Sequence, residues 1–122
     1  MTTVVFLVLK NDNGVFKKFG IINDRLYYND NEYPILAVSS ISSWITGRVN
    51  VSSSRGVKEL VPYGKIRIEL KGGKQFEFDT LKPLEKSEHL ALIVNGYLKR
   101  MNKPILVKKE ETADKLVFAL SK

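Results

Sequence analysis

The segment from Lys65 to Asp79 constrains the fold more than any other part of the chain. Lys65, Arg67, Glu69 and Lys71 alternate with Ile66, Ile68 and Leu70, and Gln75, Glu77 and Asp79 alternate with Phe76 and Phe78. A period of two sends successive side chains to opposite faces of a strand. Gly72-Gly73 between the two runs supplies a two-residue turn. The segment therefore reads as a β-hairpin with Ile66, Ile68, Leu70, Phe76 and Phe78 facing a core. Lys65, Arg67, Glu69, Lys71, Lys74, Glu77 and Asp79 face water, where opposite charges pair across the strands. A hairpin with one apolar face needs another layer to cover it.

The following residues supply a candidate cover. Leu90, Ile93, Val94, Tyr97, Leu98 and Met101 recur at spacings of three and four, which makes one apolar stripe on a helix. Thr80 or the turn at Pro83 opens this helix, with Glu85 and Glu88 near its positive end and Lys99, Arg100 and Lys103 at its negative end. Asn102 and Pro104 stop it. Gly96 lies inside, at a cost of about 1 kcal/mol against Ala. A close approach of helix to sheet is the expected reason.

Upstream, turn signals separate short strand-like runs. Thr3–Lys10 is closed by Asn11-Asp12-Asn13-Gly14, a second run spans Val15–Ile22, and Asn23-Asp24 leads into a third at Arg25. Asn29-Asp30-Asn31 turns the chain into Glu32-Tyr33-Pro34-Ile35, an edge strand or a connection because Pro34 lacks an amide donor. Val38–Thr46 is rich in Ser, Ile and Trp without Glu or Lys, and reads as strand. Gly47–Val61 reads as a long loop around Ser52–Gly56, flanked by short strands. Ile105-Leu106-Val107 and Lys115–Leu120 read as short strands or a tail. The expected fold is mainly β with one C-terminal helix: about six or seven antiparallel strands in a barrel or sandwich, capped by that helix. Residues 1–104 form the domain and 105–122 an extension.

Composition narrows the function classes. The 122 residues are 43% hydrophobic and 27% charged, the balance of one soluble globular domain. There is no cysteine, which excludes disulfides, thiolate metal sites and cysteine nucleophiles and fits a reducing compartment. The longest apolar run, Val4–Leu9, is far below the ~20 residues of a membrane helix, and it lacks the flanks of a signal peptide. A cytoplasmic protein is expected. The formal charge of +7 favours anionic partners in general.

The element order resembles the pleckstrin-homology-like fold, and within it the bacterial PH-like domains. The resemblance is carried by Gly20–Tyr28, by Tyr33-Pro34-Ile35 leading to Ser40-Ile41-Ser42-Ser43-Trp44, by the Lys65–Phe78 hairpin and by the Glu85–Met101 helix. It spans residues 3 to 103 and implies a binding scaffold without catalysis. Eukaryotic members grip inositol phosphates through a basic pattern after the first strand. Lys10, Lys17 and Lys18 match it in charge, but Phe19 and Gly20 stand where the arginine should follow. The resemblance also implies protein contacts or self-assembly.

Candidate site residues fall into four sets. His89 is the only histidine, too little for a Ser-His-Asp triad or a metal cluster, so no catalytic, metal or cofactor site is expected. The acid pair Glu77/Asp79 suits an exposed ladder, and Glu110/Glu111 is the other. Arg48, Arg55 and Lys58, interleaved with Ser52–Ser54, suit either a solvated loop or phosphate oxygens. Lys99, Arg100, Lys103, Lys108 and Lys109 suit either helix-dipole complementarity or nucleic-acid phosphates. Tyr27, Tyr28, Tyr33 and Trp44 are contact or stacking aromatics, and adjacent Tyr27 and Tyr28 must point to opposite faces. The leading expectation is a non-catalytic module working through protein–protein contact or homo-oligomerisation. The alternative is single-stranded nucleic-acid or anionic-lipid binding through the basic segments.

Overall fold

A computed structural model describes residues 3–8, 17–22, 25–28, 31–52 and 55–121 of the chain. The strands are β1 (Thr3–Val8), β2 (Lys17–Ile22), β3 (Arg25–Tyr28), β4 (Asn31–Pro34), β5 (Val38–Ser52), β6 (Lys58–Leu70), β7 (Gln75–Leu81), β8 (Leu106–Glu111) and β9 (Lys115–Leu120). One helix, α1 (Pro83–Arg100), separates β7 from β8, and a single 3-10 turn at Ile35–Ala37 joins β4 to β5. The expected turns at 11–14, 23–24 and 29–30 lie outside the described residues, as does Lys10.

The strands form two antiparallel sheets, ordered β1-β2-β3-β4 and β7-β6-β5-β9-β8. Among the described residues no strand pair joins the two sheets, and no closure into a barrel is seen. One expectation is corrected: the helix is not C-terminal. Among the described residues seven strands precede it, within the six or seven expected, and residues 105–121 add two more, as strands and not a tail. β9 pairs with β5 from Ser40↔Ala119 to Trp44↔Lys115, and β8 pairs with β9. The helix is therefore a crossover, carrying the chain from one edge of the five-stranded sheet to the other.

One core unites both sheets and the helix. Ile21, Leu26 and Tyr28 from the first sheet meet Ile41, Ile66, Ile68, Leu70, Phe76 and Phe78 from the second. Leu90, Ala91, Val94 and Leu98 of α1 and Leu106, Leu116 and Phe118 of β8 and β9 complete it. The Lys65–Asp79 hairpin buries the five residues expected to face inward. Its turn runs over Lys71–Gly73, one residue longer than the two-glycine turn expected, with Gly72 and Gly73 at φ 95° and 93°. The helix stripe is shifted from expectation: Ser87 and Ala91 are inside, whereas Met101 is exposed. Ser87 is buried because its hydroxyl meets that of Ser43 on β5 at 2.7 Å and donates to the Leu84 carbonyl at 3.0 Å. Both buried hydroxyls are thereby satisfied.

The helix begins at Pro83, because β7 extends through Thr80 to Leu81. It ends in a Schellman arrangement: Asn102 at φ 56° donates its N–H to the Lys99 carbonyl, and the Lys103 N–H reaches the Leu98 carbonyl at 2.9 Å. Gly96 is not explained by close packing. It is exposed, and a Cβ there would have no neighbour within 4 Å.

Candidate interaction surface

β5 and β6 are far longer than their neighbours. β9 ends its pairing with β5 at Trp44, with one further bond from the Ile45 N–H to the Asp114 carbonyl at 2.9 Å. β7 ends its pairing with β6 at Tyr63. Beyond those points β5 and β6 pair only with each other, from Arg48↔Pro62 to Ser52↔Lys58, as a two-stranded arm. At ~3.3 Å per residue the stretch from Thr46 to Ser52 projects about 20 Å. The expected long loop is thus mostly strand, and among its described residues only 55–57 are not.

The base of the arm is built for close approach. A bulge lies between Ile45 and Gly47, which increases local twist. Directly opposite, Gly64 has no room for a side chain, since a Cβ would overlap the Trp44 carbonyl oxygen. The Tyr63 ring occupies the space a Gly47 side chain would need. A ring laid across a cross-strand glycine restores the packing the glycine forgoes.

Opposed residues of an antiparallel pair share a face, so the arm has two distinct sides. One carries Val49, Val51, Val61 and Tyr63 with Glu59, and Leu81 opposite Tyr63 on β7 continues it. The other carries Arg48, Asn50, Ser52, Lys58, Leu60 and Pro62. Apart from Val61 these apolar side chains are open to solvent: Leu60 is 60% exposed, and Val57 at the tip is 61%. The apolar side was missed in the sequence, although the alternation Arg48-Val49-Asn50-Val51-Ser52 is a strand signature.

The basic residues do not converge. Arg48 and Lys58 share one side of the arm but stand four positions apart along it, ~13 Å, too far to grip one phosphate together. Arg55 is exposed in the turn; Ser53 and Ser54 lie outside the described residues. Lys99, Arg100 and Lys103 are exposed at the far end of α1, whose start is tied to the arm base by a bond from the Lys82 N–H to the Pro62 carbonyl at 2.8 Å. Eighteen helical residues separate the two groups by ~27 Å. Arg100 lies over the Tyr97 ring at 4.8 Å, beside a small apolar recess of about 220 Å³ lined by Ile35, Leu36 and Met101. Lys108 is engaged by Glu111 at 3.3 Å and Glu88 at 3.8 Å, and Lys109 is exposed.

The aromatic set also divides. Tyr28 belongs to the core: its ring stacks on Phe76 at 4.4 Å and its hydroxyl donates to the Glu77 carbonyl at 2.8 Å. Tyr33 also stacks on Phe76, at 5.7 Å. Tyr27 is half-buried and faces Glu32 across β3 and β4. A hydrogen bond from Tyr27 is the main reason the Glu32 carboxyl titrates below its ordinary value; burial opposes this and Arg25, 3.1 Å away, adds to it.

Trp44 lies half-buried on the outer face of the five-stranded sheet, in an open cleft of about 470 Å³ with Ser42, Arg67, Glu110, Lys115 and Val117. The Arg67 guanidinium covers the indole at 5.2 Å, while its Nε and Nη2 bind Glu77 Oε2 at 2.7 and 2.6 Å. Lys65–Asp79 at 3.0 Å and Lys115–Glu110 at 3.7 Å extend the pattern. This face is a balanced charge ladder whose cations are already engaged. His89 is exposed on α1. Among the described residues, no three His, Asp or Glu side chains gather as a metal site requires, and no helix is long and apolar enough to cross a membrane.

Comparison with protein-family models, with curated proteins and with solved structures gives no significant match.

Proposed function

We propose that the chain is a non-catalytic, cytoplasmic binding module with a PH-like core, and that it works through protein–protein contact made by the β5–β6 arm. Seven antiparallel strands followed by an amphipathic helix support the PH-like reading. The observation that carries the contact reading is the arm's exposed apolar side, Val49 and Val51 held out from the body on two strands and continued at the base by Tyr63 and Leu81. A solvent-exposed apolar strip bordered by polar residues is the ordinary mark of a protein contact. A polyanion reading is less well supported, because the basic groups sit at opposite ends of α1 and the outer-face cations are occupied by carboxylates.

The test compares the wild-type chain with a Val49→Lys/Val51→Lys variant as immobilised baits for a cell extract. A defined set of proteins, further copies of this chain included, should be retained by the wild type and lost by the variant. Identical sets would remove the arm from the reading. Binding of single-stranded oligonucleotide or anionic vesicles that falls steeply with salt, and is lost in Arg48→Ala/Lys58→Ala, would replace it with the polyanion alternative.

A further inference from the structure

We propose that the arm pairs with the arm of a second copy, β5 edge against β5 edge, antiparallel and with Asn50 opposite Asn50. The proposal rests on the protein-contact reading and names the partner. It begins from an inventory of edges. A strand edge with unpaired N–H and C=O groups is a template for another strand, and proteins normally blunt it with charge, proline or a bulge. β8, one of the two outer edges of the large sheet, carries Lys108, Lys109, Glu110 and Glu111 and a bulge between Lys108 and Glu110. β4, an outer edge of the small sheet, ends in Pro34. The β6 edge of the arm contains Lys58, Glu59 and Pro62, which has no amide to donate.

The β5 edge of the arm is less protected, with a bulge only at its base between Ile45 and Gly47. Thr46-Gly47-Arg48-Val49-Asn50-Val51-Ser52 contains one charge, no proline and a high share of β-branched residues. Among the described residues no strand pairs with it beyond Ile45. A two-stranded ribbon alone is marginal in water, and a third and fourth strand are what such ribbons lack. Joining two arms edge to edge gives a four-stranded sheet.

Charge and side-chain size then choose the register. Placing Arg48 opposite Arg48 sets two guanidinium groups ~5 Å apart at Cβ, which is destabilising. Placing Asn50 opposite Asn50 sets each Arg48 across from Ser52 of the second copy. It also sets Val49 across from Val51, so four valines meet on the arm's apolar side with Val61 of each copy beside them. The two strands are related by a two-fold axis, so the contact is self-complementary and closed. The new outer edges are the β6 strands, where Pro62 and the charges stop a third copy from adding.

The absence of cysteine makes the test clean. Single cysteines are introduced as Arg48→Cys, Asn50→Cys and Ser52→Cys, and the chains are oxidised and run without reductant. Directly opposed cross-strand positions lie within disulfide range, whereas positions 48 and 52 are each ~13 Å from their own copies in this register. A covalent dimer is expected for Asn50→Cys and little for the others. Sedimentation of the wild type should show a concentration-dependent dimer, and Val51→Lys should weaken it about tenfold or more. Unchanged Trp44 fluorescence checks that this variant keeps its fold.

Equal cross-linking at all three positions, or a maximum at 48 or 52, overturns the register. A monomer at every concentration, with no cross-link at position 50, overturns the proposal. If the arm-dependent capture of other proteins persists in that case, the protein-contact reading stands without self-pairing. If capture is also lost, both fall.

Discussion

Asn95 of α1 holds the backbone of Leu106 in β8 by both ends of its carboxamide. Its Nδ2 donates to the Leu106 carbonyl at 2.9 Å, and its Oδ1 accepts the Leu106 N–H at 2.7 Å. The side chain thus acts as a short piece of neighbouring strand where β8 starts. Leu106 itself is buried in the common core, so helix and strand are joined by both packing and hydrogen bonds.

Asn95→Ala should therefore lower unfolding stability by about 1–3 kcal/mol, because two partly buried backbone groups lose their partners. Asn95→Asp keeps an acceptor but loses the donor, and should also destabilise. Chemical denaturation of the three chains measures this. A loss for Asn95→Ala no larger than an ordinary surface substitution would show that water replaces the clamp.

Gly64→Ala tests the arm base. The added Cβ would meet the Trp44 carbonyl oxygen, a backbone atom, so β5 and β6 must separate locally. Several kcal/mol of destabilisation is expected, in the range of overpacked sites. Trp44 is the only tryptophan, so its emission should also shift. A variant of wild-type stability and emission would place the strands farther apart than described.

How much of this was legible in the sequence follows from where the causes lie. The Lys65–Asp79 hairpin and the Leu90–Leu98 stripe were readable because each pattern is local and one-sided burial imprints it. The place of β9 beside β5 was not: strand choice is made across the crossover, and nothing in Lys115–Leu120 names Ser40–Trp44 as its partner. The arm was hidden for the opposite reason. Its two strands are largely exposed on both sides, so burial does not impose one pattern on both: Arg48–Ser52 alternates, but Lys58–Pro62 opposite it does not. Among the candidate site residues, the charges were visible but their separation was not, since Arg48 and Arg100 are distant only because α1 runs away from the arm.

Gly96→Ala should stabilise the protein. The glycine lies in the exposed part of a helix, its φ is negative, and the space around a Cβ is empty. Alanine then contributes its helix propensity and reduces the freedom of the unfolded chain, together about 1 kcal/mol. Thermal unfolding should move upward by a few degrees. A lower midpoint would show that the added methyl meets atoms of the folded chain closer than the 4 Å of open space around it.

Lys86 gives the chain a pH dependence with a definite sign. Its ammonium donates to Thr80 Oγ1 at 2.7 Å near the start of α1, where the helix dipole also disfavours a cation. Burial is the main cause that lowers its pKa below 10.5, with Lys82 adding to the shift and Glu85 opposing it. A lowered pKa means that the folded state binds this proton less tightly than the unfolded state. The cost is therefore fully present below the folded pKa. It fades as pH rises from there towards 10.5, where the unfolded chain also loses the proton. Lys86→Met removes the charge but also the bond to Thr80, so its stability relative to wild type at neutral pH combines two opposed effects. The change of that difference with pH isolates the titration. As pH rises from neutral to 10.5 the balance should turn in favour of wild type once the folded pKa is passed, as followed by denaturant midpoints of both chains in matched buffers. A difference that stays flat across this window would mean that the Lys86 ammonium is as well solvated folded as unfolded.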